Sequence, residues 1–398
     1  MTRFKTWTLT DVTSDVWLDS FAVSNSWLRL PTTHDWSVSK RMLRGGLRDG
    51  VDLIEVHNGA LSFAVLPTRG MSLWRGDYHG LPLGWKAPVL GPVHPKFVEQ
   101  ADRNGLGWLH GFDELMVRCG LASCGGPGED AFNDGSGRQR KVPLTLHGRV
   151  GNLPAHLVEV RVSLDPPHEL SVLGEVDEAS LFFPELRLTT TYTTTPGSNR
   201  LVIHDVVENR SAQPQEMQML YHTNLGPPFL GAGSRVLAPV HQVAPFTPRA
   251  AEGIDTYDTY LGPTAGYTEQ NYAYELLGDA KGHTLALLAN ANRDKAIALR
   301  FNRQELPCFT VWKNTAALED GYVTGLEPAT SYPNHRSFER SQGRVKLLAP
   351  GGKWECRWLL EIADSADAVA GLLAEMATLQ AQAKATVHRT MQAKYSPI

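Results

Sequence analysis

The sequence predicts an all-β protein, a large antiparallel sandwich or barrel with one C-terminal helix. Three observations lead there. Apolar and polar residues alternate over much of the chain from Val51 to Ala363, the period-two pattern of strands with one buried face. These runs are rich in β-branched residues and separated by turn sequences such as Asn-Gly, Pro-Pro and Pro-Gly-Ser-Asn. One stretch, Ser365 to about Met391, is instead rich in Ala, Leu and Gln and free of Pro, as a helix requires.

In chain order, residues 1–50 mix Trp, Asp and Ser with no long periodic run and read as loops with one or two strands. VDLIEVHNG and LSFAVLPTRGMSLWRGDYHG, from Val51 onward, alternate cleanly and break at Asn-Gly and Arg-Gly, as hairpins do. Residues 80–108 are rich in Gly and Pro and read as a long loop. Residues 110–150 hold HGFDELMVRCGLASCGGPGED and LTLHGRV, short apolar runs broken by glycine, and read as loops lining one face. Clear strands follow at HLVEVRVSL, LSVLGEVDEA, LRLTTTYTTTP and RLVIHDVVENR, the last two joined by a hairpin at Thr195–Asn199. Six more lie between Tyr272 and Ala363. Asp364 or Ser365 is placed to cap the final helix. No repeat or low-complexity linker divides residues 1–398, so the chain reads as a single domain.

Composition narrows the function. The formal net charge is −4, from 38 Lys+Arg against 42 Asp+Glu. No basic tract appears, which argues against nucleic acid as a partner. The N-terminal MTRFKTWTLTDVTSD lacks an apolar signal core. No run approaches the roughly 20 apolar residues of a membrane span. These features point to the cytoplasm. The four cysteines, Cys119, Cys124, Cys308 and Cys356, lack zinc-ribbon spacing and read as buried thiols.

The chain is organised around MLYHTNLGPP, residues 219–228. Its apolar lead-in reaches His222 just before a Gly-Pro-Pro stop, which puts the imidazole at or near a strand end. GYVTGLEPATSYP, residues 321–333, places Glu327 in a similar setting. A His and a Glu on separate strands are the minimum for paired acid and base work. Arg69 follows Pro67-Thr68 and could bind a carboxylate or vicinal hydroxyls. His110 and Asp113 in HGFD could share a face. His147 and Arg149 in LHGRV repeat the His-Gly theme, in which a ring stands beside a backbone open to a ligand. Trp312 could cover the apolar face of a sugar. Each of these residue types is also common in structural roles. The histidines lack the spacings of a metal site on one strand or helix turn. No phosphate-binding loop, dinucleotide fingerprint or nucleophile elbow occurs. Cofactor-free acid–base chemistry in an all-β cleft is what remains.

These pieces, in this order, resemble the aldose 1-epimerase (galactose mutarotase-like) superfamily, and within it the DUF4432 branch. The stretches that carry the resemblance are PTRGMSLW, HGFDELMVRCGL, LHGRVGNLPA, YHTNLG, TEQNYAYEL, VWKN and GLEPAT. The resemblance implies a galactose mutarotase-like β-supersandwich with a sugar-binding cleft and no cofactor. His222 takes the place of the family's acid and Glu327 that of its base. His147 matches a second His that contacts the sugar. Glu269, in Glu269-Gln270-Asn271-Tyr272, stands where the family has an Asp that binds a ring hydroxyl. The family's Asn-Arg pair has no clear counterpart; Arg69 or Arg149 would serve instead. Arg69, Asp113, His147, Arg149, Glu269 and Trp312 are therefore the expected sugar-binding set. The HGFD segment and the glycine-rich stretch at 119–137 have no role in that comparison.

The implied reaction is mutarotation, in which a base takes the anomeric hydroxyl proton while an acid protonates the ring oxygen. An ordinary Glu is ionised at neutral pH and a His is readily protonated, so no large pKa shift is expected. Two other readings stay open at this point. One is an epimerase, lyase or isomerase acting beside a carbonyl of a sugar or sugar acid, with or without a metal. The other is a sugar sensor without turnover, since fold does not fix function. The expected partner is a small carbohydrate, and the C-terminal helix could dock on the body or on a second copy in a homodimer.

Overall fold

The computed structural model describes residues 3–133 and 136–397. Strands dominate because the alternating runs bury every second residue. In Glu185–Thr194 the even-numbered positions, Leu186 to Thr194, are buried and their neighbours are half-exposed. The Thr-rich run suits a pleated, half-buried surface. Its hairpin partner is Arg200–Asn209. The intervening turn is pinned by Asn58, whose Nδ2 donates to Thr194 Oγ1 at 2.8 Å and to the carbonyls of Thr195 and Ser198 at 3.0 Å.

Two large sheets result, one of ten strands and one of fourteen. The ten-stranded sheet runs through Leu157–Ser163, Leu170–Ala179, Glu185–Thr194 and Arg200–Asn209, then Lys353–Ala363, Ala296–Asn302 and His283–Ala289. The middle of the fourteen-stranded sheet is formed, in order, by Gln270–Leu276, Cys308–Asn314, Val323–Ala329, Gln215–Leu225, Met116–Leu121 and Ser72–Tyr78. The main core joins inward faces of both, including Leu188, Ile203 and Trp358 from one sheet and Met219, Tyr221 and Leu326 from the other. At its centre Arg118 is fully buried against Asp205. Its guanidinium also donates to Tyr192 and Thr190 at 2.8 and 2.6 Å. Tyr221 donates to the same carboxylate at 2.8 Å. A buried ion pair this well hydrogen-bonded ties the two sheets together.

The outer face of the fourteen-stranded sheet has its own smaller cluster. Leu220, Ala273, Cys308 and Ala329 from the strands meet Trp108, Phe112 and Cys124 from covering segments. The strand Gln215–Leu225 thus serves two masters: Met219, Tyr221 and Leu225 enter the main core, while Leu220 joins the outer cluster.

Several expectations change. Residues 110–150 are not only loops, because Met116–Leu121 is an interior strand buried at every position. Burial on both faces leaves no alternation to read. Residues 1–50 hold four strands, Phe4–Asp11, Val16–Trp17, Ser20–Ser24 and Ser37–Met42; Phe4–Asp11 buries only Leu9 and Thr10, and Val16–Trp17 has two residues. The helix covers Ala366–Gln380 rather than extending to residue 391. Ser365 caps it, and Val369, Leu372 and Leu379 pack on Leu285, Leu287 and Ala298. Beyond it, Gln380 Nε2 donates to the carbonyls of Val240 and Ala383 at 3.0 and 2.8 Å. The β-branched Thr386–Val387 then adds a parallel strand beside Val240–Pro245. All four cysteines are buried and free. Among the described residues no helix is long and apolar enough to cross a membrane.

Candidate active site

Three adjacent strands build the site on the outer face of the large sheet. Register pairs Thr223 with Leu326 and Asn224 with Gly325, which sets His222 across from Glu327. On the other side Thr310 pairs with Glu327 and Trp312 with Gly325. Side chains alternate along a strand, so His222, Asn224, Glu327 and Trp312 share one face. His222 Nε2 lies 3.3 Å from Glu327 Oε1. Both groups are buried, at 5% and 2% exposure.

Asn224 fixes the imidazole tautomer. Its Nδ2 donates to the carbonyls of Glu114 and His222, each at 3.0 Å. A carbonyl only accepts, so the amide orientation is determined and Oδ1 is the atom 2.6 Å from His222 Nδ1. Nδ1 therefore carries a hydrogen and donates it, and Nε2 faces Glu327. A proton on Nε2 would make an ion pair with the Glu327 carboxylate, and one on Oε1 a neutral pair. Burial decides between them. Desolvation lowers the His222 pKa well below the usual value, with His147 adding to the effect and Asn224 opposing it. Desolvation, then the Glu269 carboxylate, raises Glu327 well above the ordinary carboxylate range. Burial thus favours the neutral form of each group. This corrects the expectation that no large shift is involved, because burial on a sheet face penalises both charges.

Aromatic rings enclose the pair. The rings of Phe112, His147 and Trp312 lie with centroids 5.1, 5.3 and 5.4 Å from that of His222. His147, distant in sequence, is brought beside His222. Its Nδ1 is 3.0 Å from the Cys124 carbonyl and so carries the hydrogen. Burial depresses its pKa to about 4, which keeps it neutral at pH 7. Trp312 Nε1 donates to Glu269 Oε2 at 2.6 Å, so these two expected residues also stand together. Glu269 is exposed and Trp312 and His147 are half-buried. They mark the side on which the buried pair opens to solvent.

Four expected residues stand elsewhere. The Arg69 guanidinium is buried and wholly engaged by protein: Glu114 Oε1, the Val93 and Gly111 carbonyls and Asn152 Oδ1 take its donors at 2.6 to 3.0 Å. It has no donor left for a sugar. Asp113 is buried, with Oδ2 accepting from Trp74 Nε1 at 2.9 Å. Desolvation, with the adjacent Glu114 carboxylate, raises its pKa to about 7. His110 Nε2 lies 3.3 Å from Asp102 Oδ2. Arg149 is exposed, and its charge acts on Glu178. Each of these four depends on loop packing that local sequence does not specify.

Three residues were missed. Trp108 and Phe112 form the aromatic wall, and Asn224 sets the tautomer. Asn224 was within reach, since position i+2 from His222 on a strand shares its face. Surface clefts of about 740, 560 and 600 Å³ lie near Glu175, Arg300 and Asp113. None is lined by His222 or Glu327; the third borders the aromatic cluster through Trp85. Chemistry rather than open volume locates the site. Among the described residues, no three His, Cys, Asp or Glu side chains gather as a metal site would need.

The sequence pattern of a family described as a domain of unknown function, DUF4432, matches residues 48–362. The chain belongs to the DUF4432 family. A crystal structure from Klebsiella pneumoniae, named as a candidate aldose 1-epimerase, is 36% identical and superposes on the DUF4432 chain with a TM-score of 0.92, over 98% of this chain and 99% of that one. A galactose mutarotase-like protein from Clostridium acetobutylicum is 16% identical, with a TM-score of 0.56 over 82% of this chain and 98% of that one. An Escherichia coli K12 protein, also named as a candidate aldose 1-epimerase, gives 15% and 0.51 over 79% and 99%. No curated protein matches at a significant level. The DUF4432 chain therefore has the galactose mutarotase-like fold.

Proposed function

We propose that this protein is an aldose 1-epimerase that interconverts sugar anomers by acid–base ring opening. The observation that supports it is the His222–Glu327 pair, 3.3 Å apart on neighbouring strands and buried on one sheet face. A hemiacetal carries its hydroxyl and ring oxygens on the same carbon. Opening it requires one proton to leave and another to arrive at nearly the same place, which a close acid and base on one face can do.

In the opening step, the ion-pair form acts. Glu327 takes the proton of the anomeric hydroxyl while His222 Nε2 gives its proton to the ring oxygen. The C1–O5 bond breaks and an aldehyde forms. The pair is left neutral, the form that burial already favours. After rotation about C1–C2, Glu327 returns its proton to the aldehyde oxygen, the imidazole recovers one from the O5 hydroxyl, and the ring closes on the other face. Protons and electrons balance, and no cofactor enters. Bound sugar hydroxyls would supply hydrogen bonds that the ion-pair form needs. Trp312 offers an indole face to the sugar, and Glu269, held by that indole, accepts from a hydroxyl at the mouth.

The test is NMR anomer-exchange spectroscopy on a panel of neutral, acidic and phosphorylated aldoses, with wild type and His222→Ala in parallel. Exchange accelerated by wild type and not by the variant supports the reading. No acceleration for any sugar sinks it and leaves carbonyl-adjacent isomerisation, or sugar binding without turnover, to be assayed next.

A further inference from the structure

The HGFDE segment has no role in the chemistry so far, yet it touches the pair from two sides. Phe112 places its ring edge-on to His222, with centroids 5.1 Å apart. The Glu114 carbonyl accepts from Asn224 Nδ2 at 3.0 Å and from Trp85 Nε1 at 3.1 Å. That carbonyl fixes the amide which in turn fixes the imidazole tautomer. What holds the segment itself is Arg69. Its Nε and Nη2 both reach Glu114 Oε1, at 2.7 and 2.6 Å, and Nη2 also donates to the Gly111 carbonyl at 3.0 Å. Glu114 Oε2 closes the segment by accepting from the Asp113 amide at 3.1 Å. Arg69 and Glu114 are 1% and 0% exposed. Gly111 has no room for a side chain, since a methyl group there would stand 2.9 Å from Arg69 Nη1.

We infer that the buried Arg69–Glu114 ion pair is a positioning device for His222, acting through the Glu114 carbonyl on Asn224 and through Phe112 on the ring. A planar guanidinium can grip a carboxylate and two backbone carbonyls in one rigid arrangement, which a lysine cannot. The pair sets the tautomer and angle of the imidazole without touching substrate, so Arg69 and Glu114 are positioning residues. The inference rests on His222 as the proton-transfer group, but its primary readout needs no sugar.

That readout is the ¹⁵N chemical shift pattern of the His222 ring in the full-length, ligand-free protein at neutral pH. Wild type is expected to show a protonated Nδ1 and an unprotonated Nε2; the opposite tautomer would overturn the inference, whatever any variant does. Arg69→Lys, checked for folding by near-UV circular dichroism, is expected to show a mixture of tautomers. On the aldose that wild type accelerates best, its kcat should fall on the order of tenfold to a hundredfold with little change in KM, as when an orienting partner of a functional histidine is lost. Gly111→Ala keeps the charge and only pushes the guanidinium aside, so it serves if Arg69→Lys does not fold; a smaller change of the same kind is expected. A folded variant of either kind with wild-type ring shifts overturns the inference. If no aldose is accelerated, the epimerase reading fails while the tautomer result still decides this one.

Discussion

Trp312 faces Gly325 across the sheet, and a methyl group on that glycine would stand 2.6 Å from Glu327 Oε1, 3.1 Å from His222 Cε1 and 3.3 Å from Trp312 Cβ. Gly325 is therefore the floor on which the three side chains meet. Gly325→Ala is expected to push the Glu327 carboxyl aside. Catalysis should fall at least tenfold, since sub-ångström misplacement is enough to disturb paired proton transfer. The added methyl also overpacks a buried cluster, so stability should fall by roughly 1–3 kcal/mol while the fold is kept. Exchange rate and melting temperature measured together check this; a full-rate variant would mean that the carboxyl position is not critical.

His222 and Glu327 stand 3.3 Å apart and, if they act as acid and base together, should fail as a unit. His222→Ala and Glu327→Gln are each expected to lose on the order of 10²–10⁴-fold in kcat. The double variant should be scarcely worse than the poorer single one, because groups acting together are not additive. Losses that multiply in the double variant would show two independent contributions.

The pH profile follows from the same pairing. Moving the proton between Nε2 and Oε1 leaves the total unchanged, so activity should be flat until the pair gains or loses a proton as a whole. Burial lowers the His222 pKa and raises that of Glu327. The acid limb should thus lie below the usual imidazole range and the alkaline limb above the usual carboxylate range. Glu269 contributes to the second shift. Glu269→Gln removes a negative charge that favours protonation of Glu327, so the alkaline limb should move to lower pH. A limb that stays in place would separate Glu269 from the pair electrostatically.

Asp113 offers a stability test away from the chemistry. Its folded pKa is raised to about 7, and its Oδ1 is buried without a partner. A raised pKa stabilises the fold below the unfolded value of about 4 and loses that contribution as pH rises toward 7. Asp113→Asn does not titrate. It should gain on wild type between about pH 4 and pH 7 and keep that gain above. Melting temperatures at pH 5 and pH 8 check the sign; an offset independent of pH would mean that Asp113 is not titrating in the native state.

The helix shows how local signals reach their limit. Composition locates its start at Ser365, where the capping hydroxyl is visible in the sequence. At its end the backbone of the strand Val240–Pro245 takes the Gln380 side chain and then pairs with Thr386–Val387 beyond it. Met116–Leu121 fails for the opposite reason. A strand buried on both faces, with an ionic Arg118 in its middle, has no period to detect.

The sequence by itself determined the all-β class and the strands of the clear hairpins, and it singled out His222, Glu327 and His147 as candidates. Those are properties of pattern and short motif. Tertiary structure alone decided the state of that pair and the company it keeps. Burial, which no residue reveals about itself, shifts both pKa values toward the neutral forms. Packing of distant loops engages Arg69 and Asp113 with protein partners. It gives the first a hold on the segment that orients His222, because hydrogen-bond donors in a closed interior must find their partners there.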